Sequence, residues 1–146
     1  MIRKAVLSDA LDIYNLESEC FSNKYSLSTI NQDLGNDKVT MFLKYKNNRL
    51  IGYISLYHFL DEANLQRIAV IQSERRQGVA SELIEFATQY LKSLGIKSFY
   101  LEVNENNLIA IKVYEKLGFN NISTRKNYYG NENAIIFQKF LDLKKD

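Results

Sequence analysis

The chain has 146 residues, 46% of them apolar and 25% charged, with a net charge of +2. This suits one globular domain over residues 1–146 with its own core, and gives no electrostatic ground for nucleic acid as a partner. One cysteine and one histidine exclude an internal disulfide framework, leave no basis for a metal site or a Cys–His nucleophile pair, and fit a reducing, cytoplasmic compartment.

The amino terminus reaches Ser8 and Asp9 after a short apolar run. No stretch of about eighteen apolar residues follows, so neither a secretion signal nor a membrane span is expected. "IRKAV" (2–6) predicts a short strand. Ser8 is placed as the N-cap of a helix whose stripe is Ala10, Ile13, Leu16, Glu17 and Cys20, with Cys20 as a small buried residue. "SLSTINQDL" (26–34) predicts a second short helix with Leu27, Ile30 and Leu34 on one face. "VTMFLKY" (39–45) and "LIGYISLYHF" (50–59) predict strands joined by the hairpin turn "KNNR"; His58, inside the second, reads as structural. "NLQRIAVI" (64–71) is a fourth strand. Val79, Leu83, Ile84, Ala87, Leu91 and Leu94 form one stripe of a long helix stopped by Gly95. "KSFYLEV" (97–103) predicts a strand and "NLIAIKVYEKL" (107–117) a helix ended by Gly118. "FNNISTRKNYY" (119–129) and "NAIIFQKFL" (133–141) are the last strands, and "LDLKKD" (141–146) reads as a solvated tail.

The order β-α-α-β-β-β-α-β-α-β-β predicts an α/β fold of the mixed α+β kind: a central mixed sheet of about seven strands with helices on both faces. The two most regular helices follow the strands centred on Ala69 and Leu101, so their N-termini sit where α/β folds bind ligands.

In "IAVIQSERRQGVASELIEFA" (68–87) a strand-like run gives way to a helix across two arginines and one glycine. A helix starting there leaves its first N–H groups without partners and carries partial positive charge. Gly78 lets a ligand approach the main chain, Ala80 keeps the face small, and Arg75 and Arg76 add cations, which together suit a pyrophosphate. The same spacing also suits a plain capped turn with solvated arginines. It is neither a P-loop nor a dinucleotide fingerprint, for it lacks the Gly-Lys-Ser/Thr of one and two glycines of the other.

Arg75-x-x-Gly78-x-Ala80 after "IAV" resembles the acetyl-coenzyme A motif of the GNAT acetyltransferases. "NLIAIKVYEKLGF" (107–119) resembles the same family's downstream signature, with Asn107, Ala110, Tyr114, Gly118 and Phe119 at matching spacing. The two motifs lie one helix and one strand apart, and the element order extends the resemblance over essentially the whole chain. "DEANLQRIAV", "LEVNENN" and "RKNYYGNENAII" are similar to the bacterial branch that acetylates the N-terminal alanine of a ribosomal protein. The chain departs from that branch at "CFSNKYS" (20–26), where a proline and a tryptophan are common, and at Glu132-Asn133, where an acidic pair is. Both departures fall in segments that face the acceptor in that family.

The resemblance implies acetyl-CoA as co-substrate, no metal, and direct transfer to the N-terminal amine of a protein such as a ribosomal protein. It implies that the main chain of Ile68, Ala69 and Val70 holds the pantetheine arm, with the Val70 N–H as oxyanion donor. Arg75, Arg76, Gln77, Gly78, Val79 and Ala80, with Asn107 and Tyr114, complete the implied coenzyme site. Strand alternation puts Phe99, Leu101 and Val103 on one face and Ser98, Tyr100 and Glu102 on the other. Glu102, near the end of an apolar strand, is expected to be poorly solvated with a raised pKa, as suits a general base; an ordinary salt-bridged glutamate fits the position equally. Tyr114 is implied as the acid that serves the leaving thiolate, although its spacing also suits a core aromatic. Asn107 reads first as a helix cap. Tyr128 and Tyr129, with Glu102, are implied to contact the acceptor, or they simply close a hairpin. Asp61 and Glu62 attract a basic peptide or form a solvated turn. Two rival functions stay open: an acetyltransferase of small amines or lysine side chains, and a non-catalytic acyl-CoA-binding sensor module.

Overall fold

Asn47 and Asn48 take φ of 52° and 64°, the two-residue hairpin geometry whose twist matches the strands it joins. That turn links β2 (Val39–Lys46) to β3 (Arg49–Phe59), and β4 (Glu62–Val70) folds back antiparallel on β3. The short β1 (Ile2–Lys4) covers the outer edge of β2. β5 (Ser98–Asn104) lies parallel to β4, and β7 (Glu132–Phe140) inserts between β5 and β6 (Asn120–Tyr129). The result is a seven-stranded mixed sheet in the order β1-β2-β3-β4-β5-β7-β6. The computed structural model describes residues 1–141, and the rest of the tail expected at the end of the chain lies outside the described residues.

Among the described residues four α-helices pack on this sheet: α1 (Ala10–Cys20), α2 (Leu27–Leu34), α3 (Val79–Ser93) and α4 (Leu108–Lys116). Adjacent residues of β3 show that α1 and α3 take opposite faces. Tyr53 donates its hydroxyl to Glu17 of α1, while a Cβ on Gly52 would meet Val79 at 3.3 Å and Leu83 at 3.4 Å. Glycine is therefore what lets α3 lie close on the sheet. The expected α3 stripe is buried from Val79 to Leu91, but Leu94 falls past the helix end and is exposed. Among the described residues no helix is long and apolar enough to cross a membrane.

Two local expectations give way. Ser8 does not cap α1; it sits in a 3-10 turn over Leu7–Asp9. Asp9 does the anchoring instead, accepting from the Val6 N–H at 2.7 Å and from both terminal nitrogens of Arg3 at 2.8 and 3.0 Å. A bidentate arginine from β1 outweighs a hydroxyl cap. Cys20, expected to be buried, is half-buried, and its thiol donates to the Val70 carbonyl at 3.6 Å.

What positions a site is the parting of β4 from β5. They pair only at Glu62↔Ser98, Ala63↔Phe99 and Asn64↔Tyr100. Beyond these, β4 stays with β3 as far as Val70 while β5 follows β7 as far as Asn104. Each half of the sheet keeps its own ladder, and a wedge opens between their C-terminal ends.

Candidate active site

The wedge exposes the main chain of β4. The Ile71 N–H donates to the Ile51 carbonyl at 2.9 Å, so alternation along the antiparallel ladder makes Tyr53↔Ala69 a hydrogen-bonded pair. The same alternation turns the peptide groups of Ile68 and Val70 away from β3, into the wedge. Of the three, Ile68 and Val70 present main-chain groups to the wedge, while the Ala69 amide is used by the ladder and its side chain is buried. The Val70 carbonyl accepts from the Arg75 Nε at 2.8 Å, which ties the following loop to the strand end.

That loop delivers the start of α3. Gly78 precedes the helix at φ +82°, and a Cβ there would meet nothing within 4 Å. Backbone conformation, not close packing, therefore calls for glycine. Arg76 also takes a positive φ of 64°, a strain that such loops hold only when the surroundings impose it. The first helical bond runs from the Glu82 N–H to the Gly78 carbonyl, and no side chain caps the end. The Val79, Ala80 and Ser81 amides thus have no intrahelical acceptor.

These parts line one cavity of about 640 Å³. Ile68 and Val70 form one wall, Arg75, Arg76, Gly78, Val79 and Ala80 the second, and Asn107, Ala110, Val113 and Tyr114 the third. Asn107 caps α4, its side-chain oxygen accepting from the Ala110 N–H at 3.2 Å. Gln77 does not join them: it is exposed, and its amide reaches back to the Ser73 carbonyl at 3.5 Å. Gln72, Glu74, Ser81, Ile109 and Val113 line the cavity although no motif singled them out. For Val113 the signal was available, since it neighbours Tyr114 on the α4 face that carries Asn107 and Ala110.

Tyr114 is both core and lining. It is 7% exposed and packs its ring near Phe119 and Phe137. Burial, and then the neighbouring Tyr129, push its phenol up to about 12. Tyr129 is itself raised, by burial first and then by the carboxylate of Glu102. Tyr128 and Tyr129 stand edge to face at 5.0 Å, half exposed on the outermost strand.

Glu102 departs from the expectation. The predicted alternation along β5 holds, but it turns Glu102 to solvent; its side chain is 33% exposed, with Arg125 Nη1 at 3.3 Å from Oε1. The expected desolvation is absent because β5 ends at the open wedge. Arg125 had no role in the sequence reading; its approach to β5 depends on β7 pairing with both β5 and β6, which no local pattern displays. Asp61 and Glu62 lie at the other end of β4, a strand length of about 25 Å from the Val70 end. Among the described residues no group of three or more His, Cys, Asp or Glu could hold a metal ion.

A wedge between two parallel strands, an uncapped helix start and a cavity shared with a second helix define an acyl-coenzyme A type of site. The chain belongs to the acetyltransferase (GNAT) family, which it matches over residues 10–119. It is 33% identical over 147 residues to the [ribosomal protein bS18]-alanine N-acetyltransferase of Haemophilus ducreyi, covering 97% of this chain and 100% of that protein. Its fold superposes with a TM-score of 0.88 on the crystal structure of the ribosomal-protein-S18-alanine N-acetyltransferase from Escherichia coli, at 29% identity, covering 100% of this chain and 97% of that one. It also matches the paiA N-acetyltransferase from Thermoplasma acidophilum, solved in complex with coenzyme A, with a TM-score of 0.84 at 21% identity and coverage of 96% and 98%.

Proposed function

We propose that this protein transfers the acetyl group of acetyl-CoA to the α-amino group of a protein N-terminus, with an alanine-initiated ribosomal protein as the acceptor. One observation carries the reading: free strand amides, an uncapped helix start and Tyr114 converge on one cavity. The acceptor class is supported by the relative from Haemophilus ducreyi, alike over the whole of its length.

The amides of Val79, Ala80 and Ser81, with Arg75 and Arg76, hold the diphosphate. The peptide groups of Ile68 and Val70 extend the sheet towards the pantetheine arm, and the Val70 N–H donates to the oxyanion as it forms. Glu102 takes the proton from the attacking amine. An α-amine, with a pKa of about 7.7–8.0, is neutral in roughly a tenth of molecules at pH 7, against well under a thousandth for a lysine near 10.4. That difference favours an N-terminus when the base is a solvated carboxylate.

A tyrosine phenol, ordinarily near 10, is protonated at neutral pH, and burial pushes that of Tyr114 further up, to about 12. Full transfer to a thiolate whose thiol lies near 8.5 would be uphill by roughly 5 kcal/mol. Tyr114 therefore stabilises the departing sulfur chiefly by donating a hydrogen bond, and solvent completes its protonation.

The test is mass spectrometry of a panel of N-terminal peptides, internal-lysine peptides and small amines incubated with protein and acetyl-CoA. The expected result is acetylation at the α-amine of alanine-initiated peptides. Modification of lysines or polyamines alone would replace the acceptor, and coenzyme binding without any product would remove the enzyme reading.

A further inference from the structure

Glu102 is not empty-handed. Among the described residues Arg125 is the one cation within salt-bridge distance of it, by a single Nη1–Oε1 contact of 3.3 Å, with the two side chains 52% and 33% exposed. We infer that Arg125 is a resident counter-ion which the acceptor's α-ammonium displaces, so that Arg125 sets which acceptors reach Glu102. This rests on the reading of Glu102 as the base that faces the amine.

Three features make the pair exchangeable. The contact is longer than the 2.7–2.9 Å of strong charge-assisted bonds and is not bidentate, and a solvated pair of this kind holds weakly. Arg125 sits where the register of β6 against β7 shifts, between Arg125 and Tyr129, with Asn127 at φ 57° inside the irregularity. The arginine therefore hangs on a distorted edge strand rather than a rigid ladder. Its guanidinium carbon also lies 5.2 Å from the centre of the Tyr128 ring, so the cation has a second place to rest.

The incoming amine is mostly ammonium at pH 7. It brings the same charge as the guanidinium, and the exchange leaves Glu102 with one cation throughout. An N–H bond of the ammonium then breaks as an O–H bond forms on Glu102, freeing the nitrogen lone pair for attack. Arg125 takes no part in that transfer, because a guanidinium does not give up its proton in this range. It is a positioning residue. Water or an alcohol carries no charge with which to displace it, so the pair favours amines over hydroxyl acceptors.

Calorimetry of an alanine-initiated peptide binding to the coenzyme A-loaded protein tests this. Arg125→Gln is expected to bind the peptide roughly twofold to fivefold more tightly than the wild type, the factor a weak surface pair represents. In a Glu102→Gln background the same change is expected to do nothing, since there is no carboxylate left to compete for. Arg125→Lys, which keeps the charge, is expected to bind as the wild type does; tighter binding there would make bulk the cause and overturn the exchange. Unchanged coenzyme A affinity shows that each variant is folded. Peptide bound by the wild type but no more tightly by Arg125→Gln, or tightened equally without Glu102, ends this inference alone. A wild type that binds no such peptide ends the functional reading and this inference with it.

Discussion

Glu102, the base of the proposed reaction, lacks the burial expected of one. Its side chain turns to solvent at the end of β5, paired with Arg125, so position rather than desolvation must supply its usefulness. Glu102→Gln keeps the shape and removes the acceptor for a proton. Turnover is expected to fall by about 10²–10⁴-fold, with coenzyme affinity unchanged, because Glu102 is not among the residues lining the cavity. Steady-state kinetics beside a coenzyme titration read both quantities, and undiminished turnover would move the base elsewhere. The residue-level roles were unevenly legible. Gly78 and Asn107 act through local backbone geometry, which a sequence displays. Ala69 and Gln77 do not line the cavity, because ladder phase and loop path decide which neighbours face it.

α1 is fastened to the sheet by one buried charge. The carboxylate of Glu17 is fully buried, accepting from Arg67 at 2.7 and 2.9 Å, from the Tyr25 N–H at 3.0 Å and from the Tyr53 hydroxyl. Arg67 in turn lies over the rings of Phe21 and Tyr25 at 3.7 and 4.3 Å. The segment between α1 and α2 is thus clamped to β4. Burial alone would push the Glu17 carboxyl up, but Arg67, then Tyr53 and the Tyr25 N–H, outweigh it and hold it below the usual range. A lowered carboxyl contributes stability that is complete above its unfolded value of about 4.3 and is lost as pH falls through its folded value. Glu17→Ala is expected to cost about 3–5 kcal/mol at neutral pH, since Arg67 is left without its partner, and to flatten the loss of melting temperature below about pH 4.3. Thermal melts across pH measure both; a variant as stable as the wild type, with the same acid limb, would mean that the clamp holds nothing. The helical stripe displayed Glu17, but its partner fifty residues away could not be read from periodicity.

Across the whole molecule, element order and type were readable because each segment carries its own period and its own stops. The Asn47–Asn48 turn is a local device that took its expected place. The insertion of β7 between β5 and β6, and the parting of β4 from β5 after Asn64, were not readable. Both are choices of partner between strands with similar patterns, settled by packing rather than by any one segment. The account depends on that parting, since it is what leaves the Ile68 and Val70 amides unpaired beside the start of α3. Backbone amide chemical shifts followed during titration with coenzyme A test it most directly. The largest changes are expected at Ile68, Val70 and Gly78–Ser81, with little change around the separate hollow at Lys4, Asp33 and Thr40; the reverse pattern would contradict the account.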